Sequence, residues 1–377
     1  MIENIEKVTN MDVGKDISSG FEISGNEHQQ IVQQTRARVN GNNEKNDRND
    51  KDKIVEIPIY VKNTFVECIN GIIRSLFLPQ DELVLKRWYS NPSKPQFQEI
   101  ITFYFYRFIL TTFYLIFSIY SLFEYTVNRS KIKFLSMAYK SDDDPSIINS
   151  DINKLPKIPQ RLAVILNYKS EQEEGGGIEG LCNDSALNAA WCVSGGIPDL
   201  TIYEVTGTLK KSINELNSAI LRKFEAYFGT ESMPNYLIKI PHLNQVYAGV
   251  RGELIDKTET GVEKDEEYQI NITLLSKVDG RSTIVELTKV MALMTKNGEL
   301  KQSDITIKFI DRELKQLVGE EPDLIVMFTP YLDLQGFPPW HIRLSEMYWE
   351  PDNETVSYIV FLRALQKYST CKVNIGR

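Results

Sequence analysis

The chain has 377 residues and a formal net charge of −8, and 42% of its residues are hydrophobic. This length accommodates two domains, or one domain with appendages, and the apolar content is sufficient for a core. The acidic balance, with no basic block to offset it, argues against nucleic acid as a partner. The four cysteines are scattered and the three histidines lie far apart. Their spacing predicts neither a metal site nor a disulfide framework, and so few cysteines suit a reducing compartment.

Two predicted segments precede the most apolar part of the chain. Residues 1–53 are rich in Asn, Asp, Glu, Lys and Gln and poor in aromatic residues, which predicts a disordered polar tail. Residues 54–99 form a juxtamembrane segment. Its apolar residues at helical spacing are Phe65, Ile69, Ile72, Ile73 and Leu76. They predict an interfacial amphipathic helix over about 65–77, with a short hydrophobic element packed on the next segment as the alternative.

Residues 100–123 are nearly all apolar or aromatic, and Arg107 is the main interruption. As a helix they extend over about 36 Å, more than the roughly 30 Å of a bilayer's hydrocarbon core. We therefore predict a transmembrane helix in which Arg107 snorkels to the nearer interface. A buried core helix is the alternative. Aromatic residues suited to interfacial belts are Phe103, Tyr104, Tyr106, Tyr120 and Tyr125.

The charges beside this segment predict the orientation of a single span. Arg129, Lys131 and Lys133 crowd its carboxyl-terminal flank. The positive-inside tendency then places the carboxyl-terminal domain in the cytosol. Sequons for N-glycosylation occur at Asn128, Asn183, Asn271 and Asn353. A cytosolic location leaves them unmodified.

Residues 124–154 are predicted to link the span to a folded domain over residues 155–377. The aspartate run at 142–144 stands in this linker, directly before Pro145. A metal–diphosphate motif needs a helix that presents two sets of carboxylates on one face, and no helix pattern surrounds this run. We interpret it as a solvated linker.

Strand and helix patterns alternate from residue 155 onward. The predicted strands are 162–166, 200–203, 236–240, 268–275 and 324–328. The predicted helices run from an N-cap at Asp184 to Cys192, from Leu209 to Tyr227 and from Ile284 to Met294. Residues 256–267 are predicted to be a surface loop. This alternation predicts an α/β fold with a mainly parallel central sheet flanked by helices, with ligands at the carboxyl ends of the strands.

The carboxyl ends of the first and last predicted strands offer little catalytic chemistry. Asn167 follows the first strand, and acidic residues precede a glycine run at 175–177. Such a run can cradle phosphate through backbone N–H groups, but the acids would repel an anion and no Walker pattern is present. The last strand runs into residues 327–330 without a cation for a diphosphate. No nucleophile with a base can be assembled.

Several stretches resemble sequence blocks of the cis-prenyltransferases, the enzymes that elongate polyprenyl diphosphates. The matching stretches are Trp191-Cys192 with Gly196-Ile197 and Leu200-Thr201-Ile202-Tyr203, Asp279-Gly280-Arg281 with Ile284-Val285, Pro322-Asp323-Leu324, and Trp340 with Ser345-Glu346. The resemblance covers residues 155–377. It implies a cis-prenyltransferase (undecaprenyl diphosphate synthase)-like fold, preceded here by a transmembrane helix.

The departures from the family pattern concern its charged groups. The family's catalytic aspartate, which holds Mg²⁺ and diphosphate after the first strand, is replaced near Asn167. The arginine and serine that bind the homoallylic diphosphate are replaced around residues 327–329. These losses remove electrostatic terms on which the reaction relies. The resemblance therefore implies that this chain has no catalytic residues of its own.

This pattern of departures, with a predicted membrane span in front of the domain, is similar to that of the non-catalytic subunit of eukaryotic dehydrodolichyl diphosphate synthase, the Nogo-B receptor family. The most specific signs are the stretch 339–344 and the carboxyl-terminal tail. The family's Arg-x-Gly tail reaches into the active site of a catalytic partner, and here Asn374, Ile375 and Gly376 stand in that position, as in some fungal members. Gly376 permits close backbone approach, and N–H groups can face phosphate oxygens. A frayed terminus is the alternative.

Other residues take roles from the same resemblance. Phe337, Pro339 and Trp340 are candidates for the subunit interface, because aromatic residues anchor such surfaces. A role inside the core of this chain is the alternative. Glu346 matches a position at the metal–substrate site of homodimeric family members, and a carboxylate on a helix surface is the alternative. No metal site is predicted in this chain.

The resemblance implies an accessory subunit of a ditrans,polycis-polyprenyl diphosphate synthase, in a heterodimer or larger assembly with a catalytic cis-prenyltransferase. The pair would condense isopentenyl diphosphate with farnesyl diphosphate into dehydrodolichyl diphosphate, the dolichol precursor for protein glycosylation. This chain would tether and stabilise its partner as a single-pass protein of the endoplasmic reticulum membrane, in contact with membrane lipid. Mg²⁺ would be held mainly by residues of the partner. A receptor or scaffold for a protein or sterol-carrier ligand is one alternative, and a self-sufficient prenyltransferase is the other.

Overall fold

The computed structural model describes the carboxyl-terminal domain and two helices before it. The described residues are 31–38, 97–138, 145–173, 175–250, 253–257, 267–353 and 355–371. The predicted amphipathic helix at 65–77, the aspartate run at 142–144 and the tail residues Asn374, Ile375 and Gly376 lie outside them.

Eight strands of the described chain form one sheet. They are β1 Arg161–Leu166, β2 Asp199–Glu204, β3 Tyr236–Ile240, β4 Gln245–Val250, β5 Glu253–Asp256, β6 Ile270–Leu275, β7 Leu324–Met327 and β8 Glu346–Trp349. Their spatial order is β5-β4-β3-β6-β2-β1-β7-β8. Neighbours from β3 to β8 pair in parallel, whereas β4 and β5 extend one edge as antiparallel strands. The predicted mainly parallel sheet is confirmed.

Helices cover both faces of the sheet. They are α1 residues 31–38, α2 Phe97–Ala138, α3 Pro145–Asn153, α4 Gly177–Ser194, α5 Thr208–Lys211, α6 Ile213–Phe228, α7 Arg281–Asn297, α8 Ile307–Val318 and α9 Tyr358–Thr370. Short 3₁₀ turns are Pro241–Leu243, Lys277–Asp279, Gln302–Asp304 and Pro339–Ile342. Successive residues of the central strands point to opposite faces. Because both faces are buried, β1 and β7 are nearly continuous apolar runs.

The core consists of two layers separated by the sheet. Leu162 and Val164 of β1 belong to the layer that contains buried residues of α3, α4, α6 and α9. Ala163 and Ile165 of the same strand belong to the layer that contains buried residues of α1, α7 and α8. The aromatic centre of the first layer is Trp191, whose ring lies 5.3 Å from that of Phe361. The sheet therefore sits between two complete apolar layers.

Helix α2 carries the predicted transmembrane segment. Its stretch Tyr104–Phe134 is long and apolar enough to cross a bilayer, and its most apolar window has no residue buried by the protein. Large side chains such as Phe117 and Phe123 are exposed on it. An uncovered apolar helix of this length is consistent with a membrane anchor and differs from a core helix, whose side chains other elements would cover.

The carboxyl-terminal turns of α2 contact the domain. The Asn128 Nδ2 atom donates to Asp352 Oδ2 at 3.0 Å, and Ile132 is buried. The helix has 42 residues and is about 63 Å long, whereas a bilayer core takes roughly 30 Å of it. Residues at the end of α2 thus lie outside the predicted span at 100–123 and hold the domain beside it.

The structure differs from the predicted disordered tail at residues 31–38, which form α1. Ile31, Val32 and Thr35 are buried on one face of this helix. The predicted tail was defined by its average polarity over 53 positions, and that average hides a short apolar face. The rest of the predicted tail lies outside the described residues.

Several boundaries and elements also differ from the sequence pattern. Helix α4 begins at Gly177, so Asp184 lies inside the helix and is not its N-cap. The short strands β4, β5 and β8 and the helix α8 were not predicted. Asp256, predicted to begin a surface loop, ends β5. β5 and β8 are edge strands of only four residues and β4 lies next to β5, and runs this short give only a weak alternation.

Candidate functional site at the carboxyl edge of the sheet

The parallel strands β1, β2, β6 and β7 end at one edge of the sheet, where α/β folds bind ligands. Asn167 follows β1, Ser276 follows β6 and Thr329 lies two residues after β7. Tyr203 and Glu204 close β2. The sheet therefore brings together the position after β1 and the position after β7 that were predicted to lack catalytic charge.

The loop between β7 and the Pro339–Ile342 turn lies over this edge. Gln335 donates its side-chain amide to Asn167 Oδ1, and its carbonyl oxygen accepts from the Tyr203 hydroxyl at 2.7 Å. The ring of Phe337 packs edge-to-face on Tyr203 with 5.3 Å between centroids. The side chain of Asn167 is thus engaged by residues of the same chain.

Two glycines allow the loop to sit this close. Gly336 has φ +86°, a left-handed conformation that favours glycine. A Cβ atom on Gly280 would lie 2.3 Å from the carbonyl oxygen of Gly336. The Asp279-Gly280-Arg281 block therefore contacts the loop backbone directly.

A buried ionic cluster fixes the position of that block. Asp279 accepts from the backbone N–H of Ser276 at 2.6 Å and forms an ion pair with Lys210, whose side chain is only 6% exposed. His242 Nδ1 lies 3.2 Å from Asp279 Oδ1 and 3.1 Å from Lys210 Nζ. The cluster joins β3, α5 and the turn after β6.

The cluster keeps its carboxylate ionised. Burial by itself raises the pKa of Asp279, but the Lys210 ammonium and the His242 ring outweigh it and hold that pKa well below its usual range. Lys210 is committed to this internal ion pair and does not face solvent at the edge. Sequence analysis missed Lys210 and His242, because only the fold brings them to Asp279.

The Glu204 carboxylate is also fully engaged, here by hydrogen bonds from neighbouring residues. Its carboxylate, 1% exposed, accepts from Thr206 N at 2.5 Å, Thr206 Oγ1 at 2.6 Å and Thr208 N at 2.8 Å. These bonds satisfy donors at the start of α5. The carboxylate is therefore a cap and not an open metal ligand.

The edge does not fit Mg²⁺. This ion prefers several oxygen ligands, carboxylates above all. Here Asn167 supplies an amide oxygen that Gln335 already engages, while Asp279 and Glu204 are occupied internally. No group of three potential metal ligands occurs in the described part of the chain.

Asp184 of α4 is a perturbed carboxyl near this edge. Burial raises its pKa to about 6, against the opposing effect of the Lys169 ammonium. Lys169 follows β1 by three residues, so the two groups lie where the first strand ends. Asp184 has no second carboxylate beside it among the groups that shift its pKa.

The three residues predicted at the subunit interface differ in their exposure. Phe337 is 3% exposed and lies in the core, which favours the alternative of a packing role for it. Pro339 is exposed and Trp340 half-buried. The Trp340 ring lies under the Arg343 guanidinium at 4.1 Å and its Nε1 donates to Asp311 Oδ1 at 2.8 Å, so contacts within this chain engage Trp340.

Glu346 lies at the other end of the sheet. It begins β8, an edge strand and not a helix as the alternative assumed, and its Oε1 atom is 3.3 Å from Lys367 Nζ. Because β8 runs parallel to β1 and β7, its first residue lies at the amino edge of the sheet. The structure does not bring Glu346 to Asn167.

The chain leaves the described structure at this amino edge. Helix α9 ends at Thr370, and Cys371 lies within side-chain hydrogen-bonding reach of Glu346. Lys157, which precedes β1, lies over the ring of Tyr368 at 4.1 Å. The described chain therefore ends at Cys371, opposite the carboxyl edge of the sheet.

The fold and this edge define a cis-prenyltransferase-like α/β protein with an apolar helix in front of the domain. No protein-family model matches the sequence. The dehydrodolichyl diphosphate synthase complex subunit NUS1 of Saccharomyces cerevisiae is 45% identical over 278 residues, which cover 72% of this chain and 74% of that protein. The nus1 subunit of Schizosaccharomyces pombe is 34% identical over 242 residues, covering 64% of this chain and 86% of that protein.

The chain belongs to the NUS1 family of dehydrodolichyl diphosphate synthase complex subunits. More distantly, it is 25% identical over 202 residues to a tritrans,polycis-undecaprenyl-diphosphate synthase of Sulfurisphaera tokodaii, covering 49% of this chain and 73% of that enzyme. The predicted resemblance to a subunit of eukaryotic dehydrodolichyl diphosphate synthase is confirmed.

Proposed function

We propose that this chain is the accessory subunit of a dehydrodolichyl diphosphate synthase complex. It is inactive alone and pairs with a catalytic cis-prenyltransferase chain that condenses isopentenyl diphosphate with farnesyl diphosphate, for the dolichol used in glycosylation. The chain tethers that partner to the endoplasmic reticulum membrane, stabilises it and completes its active site. Mg²⁺ is held mainly by the partner.

The observation that carries this proposal is the engagement of Asn167 by Gln335 at the carboxyl edge. A transferase of diphosphates needs a free carboxylate for Mg²⁺ and cations for the phosphate oxygens. At this edge an amide replaces the carboxylate, and Lys210 is enclosed with Asp279. These contacts support a domain that retains the fold without the chemistry.

The end of the described chain supports action on a second chain. Cys371 lies at the amino edge of the sheet, near Glu346, and this edge is opposite the one that holds Asn167. Asn374, Ile375 and Gly376 follow Cys371 closely in the sequence, and we propose that they enter the active site of the partner.

The sequons support a cytosolic domain. Asn128 bonds Asp352 at 3.0 Å, Asn271 donates to Asp199 at 2.9 Å, and Asn353 is 2% exposed. A glycan on any of these side chains would break the contact that it makes. The predicted span and the contact at Asn128 then hold the domain close to the membrane surface, where a polyprenyl product partitions.

The test is a reconstitution with three samples: this chain alone, a catalytic partner alone and the co-purified pair, each given both substrates and Mg²⁺. We expect product from the pair and none from this chain. Product from this chain alone would support a self-sufficient prenyltransferase and overturn the proposal.

A matched pair of variants tests whether the metal site belongs to the partner, and the sample of partner alone separates the proposed subunit from a receptor or scaffold. Inactivating a metal-binding aspartate of the partner abolishes product, whereas Glu346→Gln in this chain leaves it unchanged, because Glu346 pairs with Lys367. If the partner is fully active without this chain, and equally stable in membranes, the scaffold alternative is correct.

A further inference from the structure

Helix α1 is a short segment docked on the domain far from it in sequence. Ile31, Val32 and Thr35 are 0%, 4% and 0% exposed, and they recur at the i, i+1, i+4 spacing of one helix face. Ile31 and Val32 belong to the same core layer as Leu314 and Leu317 of α8. Gln33 and Gln34 on the other face are exposed.

Polar contacts fix the helix in place. Arg36 donates from Nη1 to Asn244 Oδ1 at 2.9 Å and from Nη2 to the carbonyl oxygen of Gln316 at 3.0 Å. Asn244 lies in the turn between β3 and β4, and Gln316 lies in the last turns of α8. One guanidinium thus bridges two elements that are separated by 72 positions in the chain, counted from 244 to 316. The buried apolar face and the two charge-assisted hydrogen bonds of Arg36 together specify one docked position of α1.

The end of α2 that leads into the domain is anchored as well. Helix α2 meets the domain through Asn128 and Asp352, and residues 100–123 before that contact carry the uncovered apolar surface. Residues 31–38 therefore contact the domain, although the predicted span lies between residue 38 and the domain in the sequence.

We propose that residues 31–38 form a clamp on the domain and that the amino-terminal part of the chain lies on the same side of the membrane as the domain. A single crossing by α2 would place residues 31–38 and the domain on opposite sides of the bilayer, where they could not touch. The number of crossings between residue 38 and the domain is therefore even. This revises the predicted single-pass topology and is independent of the proposed enzymatic role.

The clamp is tested by cross-linking in the full chain in sealed microsomes. Arg36→Cys and Asn244→Cys are combined in a background of Cys68→Ser and Cys371→Ser, with a protease site inserted after residue 41. A short bismaleimide should keep the tagged amino-terminal fragment attached after cleavage. The control pair of Gln34→Cys with Asn244→Cys should release it, because Gln34 is exposed on the opposite face.

A second measurement does not depend on Arg36. A thiol from Thr35→Cys should react with a maleimide about tenfold more slowly than one from Gln34→Cys, and equally fast in denaturant. Equal rates in the native chain, or cross-linking of both pairs alike, would overturn the clamp.

The side of the membrane is read with two tagged samples in sealed microsomes, one with a tag before residue 31 and the other with a tag after residue 377. We expect both tags to respond alike to protease added outside, because residues 31–38 and the domain share one side. Digestion of one tag and protection of the other would overturn the shared side and restore a single crossing.

Discussion

Gln335 and Asn167 are joined by a side-chain hydrogen bond across 168 positions of sequence. This bond places the loop after β7 on the end of β1. The chain's own residues thus cover this part of the carboxyl edge, which is the contact on which the proposed accessory role rests.

Asn167→Asp tests whether a carboxylate alone restores chemistry. We expect the purified variant to remain inactive with both substrates and Mg²⁺, because Gln335 still covers the position and Lys210 stays paired with Asp279. The measurement is product formation by the variant chain alone. Turnover above that of the unchanged chain would show that the edge is open.

Gln335→Leu should lower the free energy of unfolding by about 1 kcal/mol, since it removes the hydrogen bond to Asn167 and keeps the side-chain volume. Chemical unfolding of the full chain in detergent measures the change. Gln366→Leu is the control, because Gln366 is exposed on α9. Equal effects of the two substitutions would contradict a specific contact at the edge.

Gly280→Ala should destabilise the domain by about 1–3 kcal/mol, the cost of overpacking. Its new Cβ would lie 2.3 Å from the Gly336 carbonyl oxygen, a backbone atom that cannot simply rotate away. Gly298→Ala is a useful comparison, because nothing lies within 4 Å of its Cβ and its cost comes from φ +80° alone. The thermal unfolding midpoint reports both, and a neutral Gly280→Ala would contradict the close approach of the loop.

Lys210→Met should cost about 3–5 kcal/mol, because it leaves the Asp279 carboxylate buried without its main partner. Adding Asp279→Asn should recover part of that loss. Lys211→Met, at an exposed position of the same short helix, is the control. Equilibrium unfolding of Lys210→Met, Asp279→Asn and the double variant gives the coupling, and a strictly additive double variant would contradict the ion pair.

Asp184→Asn should stabilise the domain at neutral pH. The pKa of Asp184 is raised to about 6 by burial, above the roughly 3.9 of an unfolded aspartate. The folded state therefore binds the proton more tightly, and stability is lost as pH rises through the folded pKa. We expect a gain of about 1–2 kcal/mol at pH 7.5 that vanishes near pH 4. A gain that is constant across this range would contradict the shifted pKa.

The sequence predicts the central strands and the amphipathic helices, because burial on both faces or on one stripe leaves a clear apolar pattern. The family resemblance also predicts Asn167 as the position near which the family's aspartate is replaced. It cannot place Gln335, Lys210 or His242, because each contacts the site from a different element and no local pattern marks it. The clamp at residues 31–38 was missed for a related reason, since its short apolar face is diluted by polar neighbours.

Removal of residues 374–377 is the decisive measurement. The truncated chain is co-purified with its catalytic partner, and product formation is compared with that of the full-length pair at equal amounts of complex. Loss of backbone donors to a diphosphate typically costs about 100-fold or more in rate, so we predict a loss of this size with pairing retained. Unchanged activity of the truncated pair would contradict completion of the partner's site by the tail.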